Sequence, residues 1–306
     1  MSWPTAISVG LSLLAGGGAW ACGGDVIGLG TGDAQPSFGD PGQSVRNLNL
    51  ERNDESDPTL TDDLLEIFFI SNRDGGRGRK DVWHAQRFDR TEPFGEPELV
   101  GEASSSEDEE SVAVSGDGKT LWVGTRRAGG RGGIDIWQTT RTERGGAWST
   151  LAPVDALNTD SDDLPRPPGQ GGAVMPIASN RGGGSLIQTF FAKRSGPHQD
   201  FASPEPVAEL WVQDASMEDG FLTDDGLHLF FRRAGLGQDG ALYVAWRTSL
   251  DAPFREPVML ELVNSAYDDR DPFVSADRSR FFFASNRRNA VFLDIYATQL
   301  YLPTYQ

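Results

Sequence analysis

The sequence predicts an all-β protein, a single five-bladed β-propeller of four-stranded antiparallel blades. Three observations predict it. A motif ending in arginine recurs at Arg73, Arg127, Arg181, Arg233 and Arg287, at intervals of 54, 54, 52 and 54 residues. Each copy holds four short β-type runs separated by turn residues, and no 3.6-residue apolar periodicity is sustained anywhere in the 306 residues. A unit of about 50 residues with four strands cannot bury both faces alone, and stacking such units around an axis gives a propeller.

The N-terminus stands apart from the repeat. Residues 6–15 form a short apolar core, followed by "GGGAWAC" ending at Cys22, the only cysteine. The stretch is too short to cross a bilayer, which takes about 20 residues, and it fits a secretory signal with small residues at the cleavage point. The pattern resembles a bacterial lipoprotein signal, which implies acylation of Cys22 and export to the periplasm or outer membrane. A sole cysteine excludes an intrachain disulfide. Residues 23–42, rich in Gly, Asp and Pro without periodicity, are expected to be a flexible linker, with the propeller spanning residues 43–306.

Within each copy the elements follow in a fixed order. An acidic tail comes first: "NDESD" at Asn53, "EDEE" at Glu107, "DSDD" at Asp160, "MED" at Met217 and "DDRD" at Asp268. A strand follows, then a turn whose aspartate (Asp63, Asp117, Asp225, Asp277) is suited to bonding its own backbone. The second strand is an apolar run ending at the repeated arginine. A glycine-rich link, "DGGRG" after Arg73 and "AGGRG" after Arg127, leads to a third strand opened by Asp81-Val-Trp83, Asp135-Ile-Trp137 and Asp294-Ile-Tyr296. The fourth copy keeps only Tyr243 of that triplet. The third copy is the poorest, with "DLPRPPGQGG" where a strand and turn are due. The last copy lacks a fourth strand, and residues 45–50, which parallel the stretch after Val258, are expected to supply it and zip the two ends into one sheet.

The order Asp-Pro, Ser-x-Asp-Gly, an aromatic run into Ser-Asn-Arg, Gly-Gly and Asp-Ile-Tyr resembles the WD40-like propeller repeats of the TolB type, found in bacterial envelope proteins. The resemblance covers the chain from residue 43 to about residue 302. It implies the propeller fold and says little about function, since propellers host many unrelated activities.

Several site chemistries are excluded by context. The Gly-Gly-Arg-Gly links lie between two strands and open no helix, so they are hairpins rather than phosphate cradles. "SGDGKTLW" lacks the glycine position of a sialidase Asp-box. His84, His198 and His228 have no metal-type spacing, and no G-x-S-x-G turn is present. A formal charge of −18 argues against nucleic acid and against an anionic membrane face, so membrane contact is expected only through a lipid at Cys22.

Two roles are expected for the repeated residues. Arg73 with Asp81, and Arg127 with Asp135, are expected to pair across their hairpins, while Trp83, Trp137, Tyr243 and Tyr296 pack between blades. The acidic tails would crowd around the central channel, which suits Ca²⁺ or the acid and base of a glycosidase. No copy has calcium-loop spacing, so no ligand is assigned and no cofactor is expected. The expected function is a monomeric, non-catalytic scaffold binding an envelope protein, a peptide or a glycan. The alternative is a propeller glycoside hydrolase or lyase using carboxylates among Asp57, Asp163, Glu218 and Asp271.

Overall fold

The computed structural model describes residues 35–196 and 199–303. The proposed signal, Cys22 and His198 therefore lie outside the described residues, as does most of the proposed linker. Five sheets of antiparallel strands form the propeller, and the only helical turn among the described residues is a 3₁₀ turn at Ala208–Leu210. No helix among them is long and apolar enough to cross a membrane.

The chain begins its regular structure with two short strands, β1 (Ser37–Phe38) and β2 (Gln43–Ser44). The first blade is β3 (Glu55–Leu60), β4 (Glu66–Ser71), β5 (Asp81–Gln86) and β6 (Glu98–Leu99). The second is β7 (Glu109–Val114), β8 (Thr120–Thr125), β9 (Asp135–Thr140) and β10 (Ala152–Pro153). In the third, β11 (Asp163–Pro165) is cut to three residues, followed by β12 (Val174–Ser179), β13 (Gln188–Lys193) and β14 (Glu205–Pro206). The fourth is β15 (Ala215–Leu222), β16 (His228–Gly235), β17 (Ala241–Trp246) and β18 (Val258–Met259). The fifth has β19 (Asp269–Val274), β20 (Arg280–Ser285) and β21 (Asp294–Tyr301).

The fifth blade is completed from the other end of the chain, as the repeat requires, but in a different register. Gln43 and Ser44 pair with Ala297 and Tyr296, and Ser37 and Phe38 pair with Tyr301 and Leu300. Residues 45–50, expected as this strand, mostly form the turn that follows it. The parallel with the stretch after Val258 is real, since Asn49 Nδ2 donates to the Ile295 carbonyl at 2.8 Å much as Asn264 Nδ2 donates to that of Leu242 at 2.9 Å. Only the first two residues of that unit are strand, because the rest must bend into the next blade. The ordered sheet thus starts at Ser37, inside the stretch expected to be linker.

Apolar faces of successive blades meet in buried clusters, the largest joining Leu48, Phe69 and Trp83 to Phe230, Phe283 and Ile295. Between blades four and five, Phe221 meets Phe273 edge-on with centroids 5.0 Å apart, and Phe230 lies 5.3 Å from Phe281. The hairpin links have the backbone that glycine permits, with φ of 95° at Gly75 and 101° at Gly129. The turn aspartates act locally: Asp117 Oδ1 accepts from Ser115 Oγ at 2.6 Å and from Lys119 N at 3.0 Å.

Candidate functional site

The repeated arginine does not pair across its hairpin. Arg73 Nη2 lies 3.0 Å from Glu55, Arg127 Nη2 3.0 Å from Glu109, Arg181 Nη2 2.6 Å from Asp163, and Arg287 Nη2 2.7 Å from Asp269. These acids open the first strand of the same blade and have no exposed side-chain surface. Burial comes first among the influences on Glu55 and Glu109 and raises both carboxyls above the ordinary value, even with an arginine beside each. Blade four has Met217 in that place, and Arg233 keeps only the second half of the pattern. That second half is a bond to the incoming connector: the five arginines donate to the carbonyls of Leu48, Ala103, Leu157, Leu210 and Val263.

Asp81 and Asp135, expected as the arginines' partners, instead hold the hairpins. Asp81 Oδ2 accepts from Arg77 N at 3.0 Å and Asp135 Oδ2 from Arg131 N at 2.8 Å. A carboxylate at the head of the third strand reaches the loop N–H groups more directly than a guanidinium aimed back toward the first strand. In blade five Asp294 differs, lying 2.8 Å from Arg288. The third-strand aromatics lie under the arginines, with Arg73 centred 5.2 Å from Trp83, Arg127 5.7 Å from Trp137, Arg233 5.1 Å from Tyr243 and Arg287 4.9 Å from Tyr296.

The acidic tails are likewise engaged in joining blades. Asp54 Oδ1 accepts from Leu293 N at 2.9 Å, Asp162 Oδ1 from Ile134 N at 2.8 Å, and Asp268 Oδ1 from Gly240 N at 2.7 Å. In each case donor and acceptor belong to successive blades. Among the described residues no group of three or more His, Cys, Asp or Glu is disposed to hold a metal ion.

At the axis four side chains from four blades converge. Register shifts interrupt β3 after Ser56, β15 after Glu218 and β19 after Arg270. The displaced residues are Asp57, Asp219 and Asp271, with φ of 51°, 58° and 54°, and a bulge of this kind re-aims a side chain out of the strand's alternation. All three carboxylates meet Arg166, which follows the truncated β11: Arg166 Nη1 binds Asp57 and lies 3.2 Å from Asp271, and Nη2 binds Asp219. Their side chains are no more than 7% exposed. Burial raises the Asp271 carboxyl to about 6, with Asp219 adding to the rise and Arg166 and Arg270 opposing it. Burial likewise raises Asp57. For Arg166, burial alone would favour loss of the proton, but the charges of Asp219, Asp57 and Asp271 override it and hold the guanidinium charged.

Of the four carboxylates singled out from sequence, the structure brings only Asp57 and Asp271 together. Asp163 belongs to the Arg181 pair, and Glu218 pairs with Arg232. Sequence reasoning missed Asp219 and Arg166. Asp219 had a signal, because it aligns with Asp57 and Asp271 in the repeat. Arg166 had none beyond the failure of blade three to follow the pattern.

Toward the opposite ends of the first strands the axis opens into a mouth. A pocket of about 250 Å³ there is lined by Asp62, Asp117, Pro168, Arg194 and Asp224, among others. Asp62 is raised above the ordinary carboxylate range by burial and then by the nearby charge of Asp224, and burial raises Asp224 as well.

No family model matches the chain, and no curated protein matches it in sequence. Solved structures do resemble it. An endo-arabinase from Bacteroides thetaiotaomicron VPI-5482 is 15% identical with a TM-score of 0.53, over 87% of this chain and 98% of that one. A thermostable family-43 glycoside hydrolase is 11% identical with a TM-score of 0.52, over 85% of this chain and 94% of that one. TolB from Acinetobacter baumannii is 13% identical with a TM-score of 0.49, and the 82% of this chain that matches spans 55% of the TolB chain. At these identities the likeness to the endo-arabinase and to the family-43 hydrolase is one of fold alone.

Proposed function

We propose that this propeller is a non-catalytic binding scaffold of the bacterial cell envelope, exported and tethered through Cys22, whose ligand is a protein, a peptide or a glycan. The observation that carries this reading is the occupation of the axis by Arg166. A glycosidase needs two carboxyl groups free to face the scissile bond, one of them able to pass its proton to the leaving oxygen. Here Asp57, Asp219 and Asp271 each turn one carboxylate oxygen to one buried guanidinium, and no more than 7% of any of these side chains is exposed. The open mouth beyond them carries Asp62 and Asp224, which favours a basic segment of a partner.

A second reading, a glycoside hydrolase, is favoured by one observation: the Asp271 carboxyl, at about 6, is poised to be an acid near neutrality. The likeness of fold to an endo-arabinase agrees with it without deciding it. Reducing-sugar release from a panel of arabinans, xylans and other polysaccharides separates the two. No turnover is expected; turnover abolished by Asp271→Asn would replace the scaffold reading with the second. Pulldown from envelope extract under a salt titration is expected to recover a partner whose retention falls with ionic strength and is lost in Asp62→Asn/Asp224→Asn.

A further inference from the structure

Arg87, Arg141, Arg194 and Arg247 follow the third strands of blades one to four, and each donates Nε–H to a turn carbonyl: Leu64 at 2.8 Å, Gly118 at 2.7 Å, Gly172 at 2.7 Å and Gly226 at 2.8 Å. Each guanidinium also lies over the aromatic ring seven residues on, at 4.4, 4.5, 4.3 and 4.7 Å. In blade two the far end of Arg141 reaches Glu66, the first residue of β4 in blade one. The same position at the start of the second strand is Thr120, Val174, His228 and Arg280 in the other blades.

Ring closure sets blade one against blade five, so the position that is Glu66 beside Arg141 is Arg280 for Arg87, and the two arginines line one groove. Burial and then the charges of Arg280 and Arg90 lower the proton affinity of the Arg87 guanidinium. Arg90, three residues on, lies 2.8 Å from Asp277 and donates Nε–H to the Asp63 carbonyl at 2.8 Å, and Asp40 is a second carboxylate on the same groove. The Arg280 guanidinium is exposed and makes no hydrogen bond or ion pair with any described residue. Between these groups lies a groove of about 640 Å³, lined also by Ser44, Thr91 and Phe94. Three arginines against the two carboxylates of Asp40 and Asp277 leave this groove net positive in a chain of formal charge −18. Like charges held together by the fold raise the affinity for a counter-charge placed between them, and guanidinium forks match carboxylate and phosphate oxygens.

We propose that this groove, at the junction of the first and last blades, is an oxyanion site in which Arg280 takes the carboxylate or phosphate head of a small ligand, with Arg87 and Arg90, whose Nε–H groups are held by backbone carbonyls, adding positive charge beside it. The site shares no residue with the axial cluster, so it stands whether or not the scaffold reading does. Phe94 and Phe282 beneath the groove give the ligand's uncharged part an apolar floor.

The test is isothermal titration of the full chain, in low-salt buffer, with inorganic phosphate, with glucuronate and with neutral glucose. Glucose is expected not to bind, and at least one of the two anions is. Binding of phosphate alone assigns a phosphoryl ligand, and of glucuronate alone a carboxylate. Arg280→Ala is expected to weaken the bound anion about tenfold, the loss of one charge-assisted hydrogen bond. Arg79→Ala removes the same charge from a surface pair with Asp108 outside the groove and is expected to leave binding unchanged. Failure of both anions to bind, or equal binding by wild type, Arg280→Ala and Arg79→Ala, would overturn the proposal. Because Arg280 is exposed and unpaired, its loss leaves folding intact, which a matched thermal midpoint checks.

Discussion

The guanidinium of Arg127 lies 3.0 Å from the carboxylate of Glu109, which has no exposed surface, and also reaches the carbonyl of Ala103 at 2.8 Å. One side chain thus ties the second strand of its blade to the first, and both to the connector arriving from the blade before. The same arrangement at Arg73, Arg181 and Arg287 makes it the recurrent joint of the ring.

Removing the cation from such a joint strands a buried charge. Arg127→Ala is expected to lower stability by about 3–5 kcal/mol, whereas Glu109→Gln with Arg127→Met, which removes both charges, is expected to cost much less. Chemical denaturation of the two variants checks this. Equal losses in the two would mean that the burial of the pair has been overstated.

The axial cluster makes a sharper form of the same expectation. Arg166→Met leaves Asp57, Asp219 and Asp271 facing one another and is expected to prevent folding or lower the thermal midpoint severely. Adding Asp57→Asn, Asp219→Asn and Asp271→Asn to it is expected to restore most of the loss. A quadruple variant no more stable than Arg166→Met would show that Arg166 acts by its shape rather than its charge.

The pH dependence of stability follows from Asp271, whose carboxyl is raised to about 6 by burial and by Asp219. A carboxyl raised above its unfolded value of about 3.9 takes up its proton first in the folded protein. Its contribution to stability is therefore fully present below about pH 3.9 and lost as the pH rises through about 6. Asp271→Asn is neutral throughout. The midpoint of the wild type relative to that variant is expected to rise as pH falls from about 7 to about 4.5, measured by differential scanning calorimetry, and a flat difference would contradict the assignment.

The closing strands carry the fourth expectation. A chain beginning at residue 45 would leave β21 without Ser37–Phe38 and Gln43–Ser44, exposing its backbone edge. Loss of a single cooperative melt, or self-association on size-exclusion chromatography, is expected. An undiminished monomer would show that the ring closes without them.

The interval between Arg73, Arg127, Arg181, Arg233 and Arg287 was enough to give the count of blades and the order of strands, because each blade's ladder is built from residues close in the chain. The arginine's importance was legible as well, but its partner was not. Asp81 lies nearer in sequence than Glu55, yet the strand ladder sets Glu55 beside Ser71, whose hydroxyl accepts from Arg73 Nε at 3.1 Å. The pairing of Arg87 with Phe94, repeated at Arg141 and Trp148, Arg194 and Phe201, and Arg247 and Phe254, stood at a constant seven residues and was open to inspection, though no strand pattern drew attention to it.

Periodicity alone established a ring of five four-stranded sheets closed by the two ends of the chain, since hydrophobic alternation and turn chemistry are local and repeat with the unit. What stands on the axis was decided only in three dimensions. Asp57, Arg166, Asp219 and Asp271 come from four blades and are joined by no spacing rule. Closing the circle brings them together, and it equally brings Arg87 against Arg280.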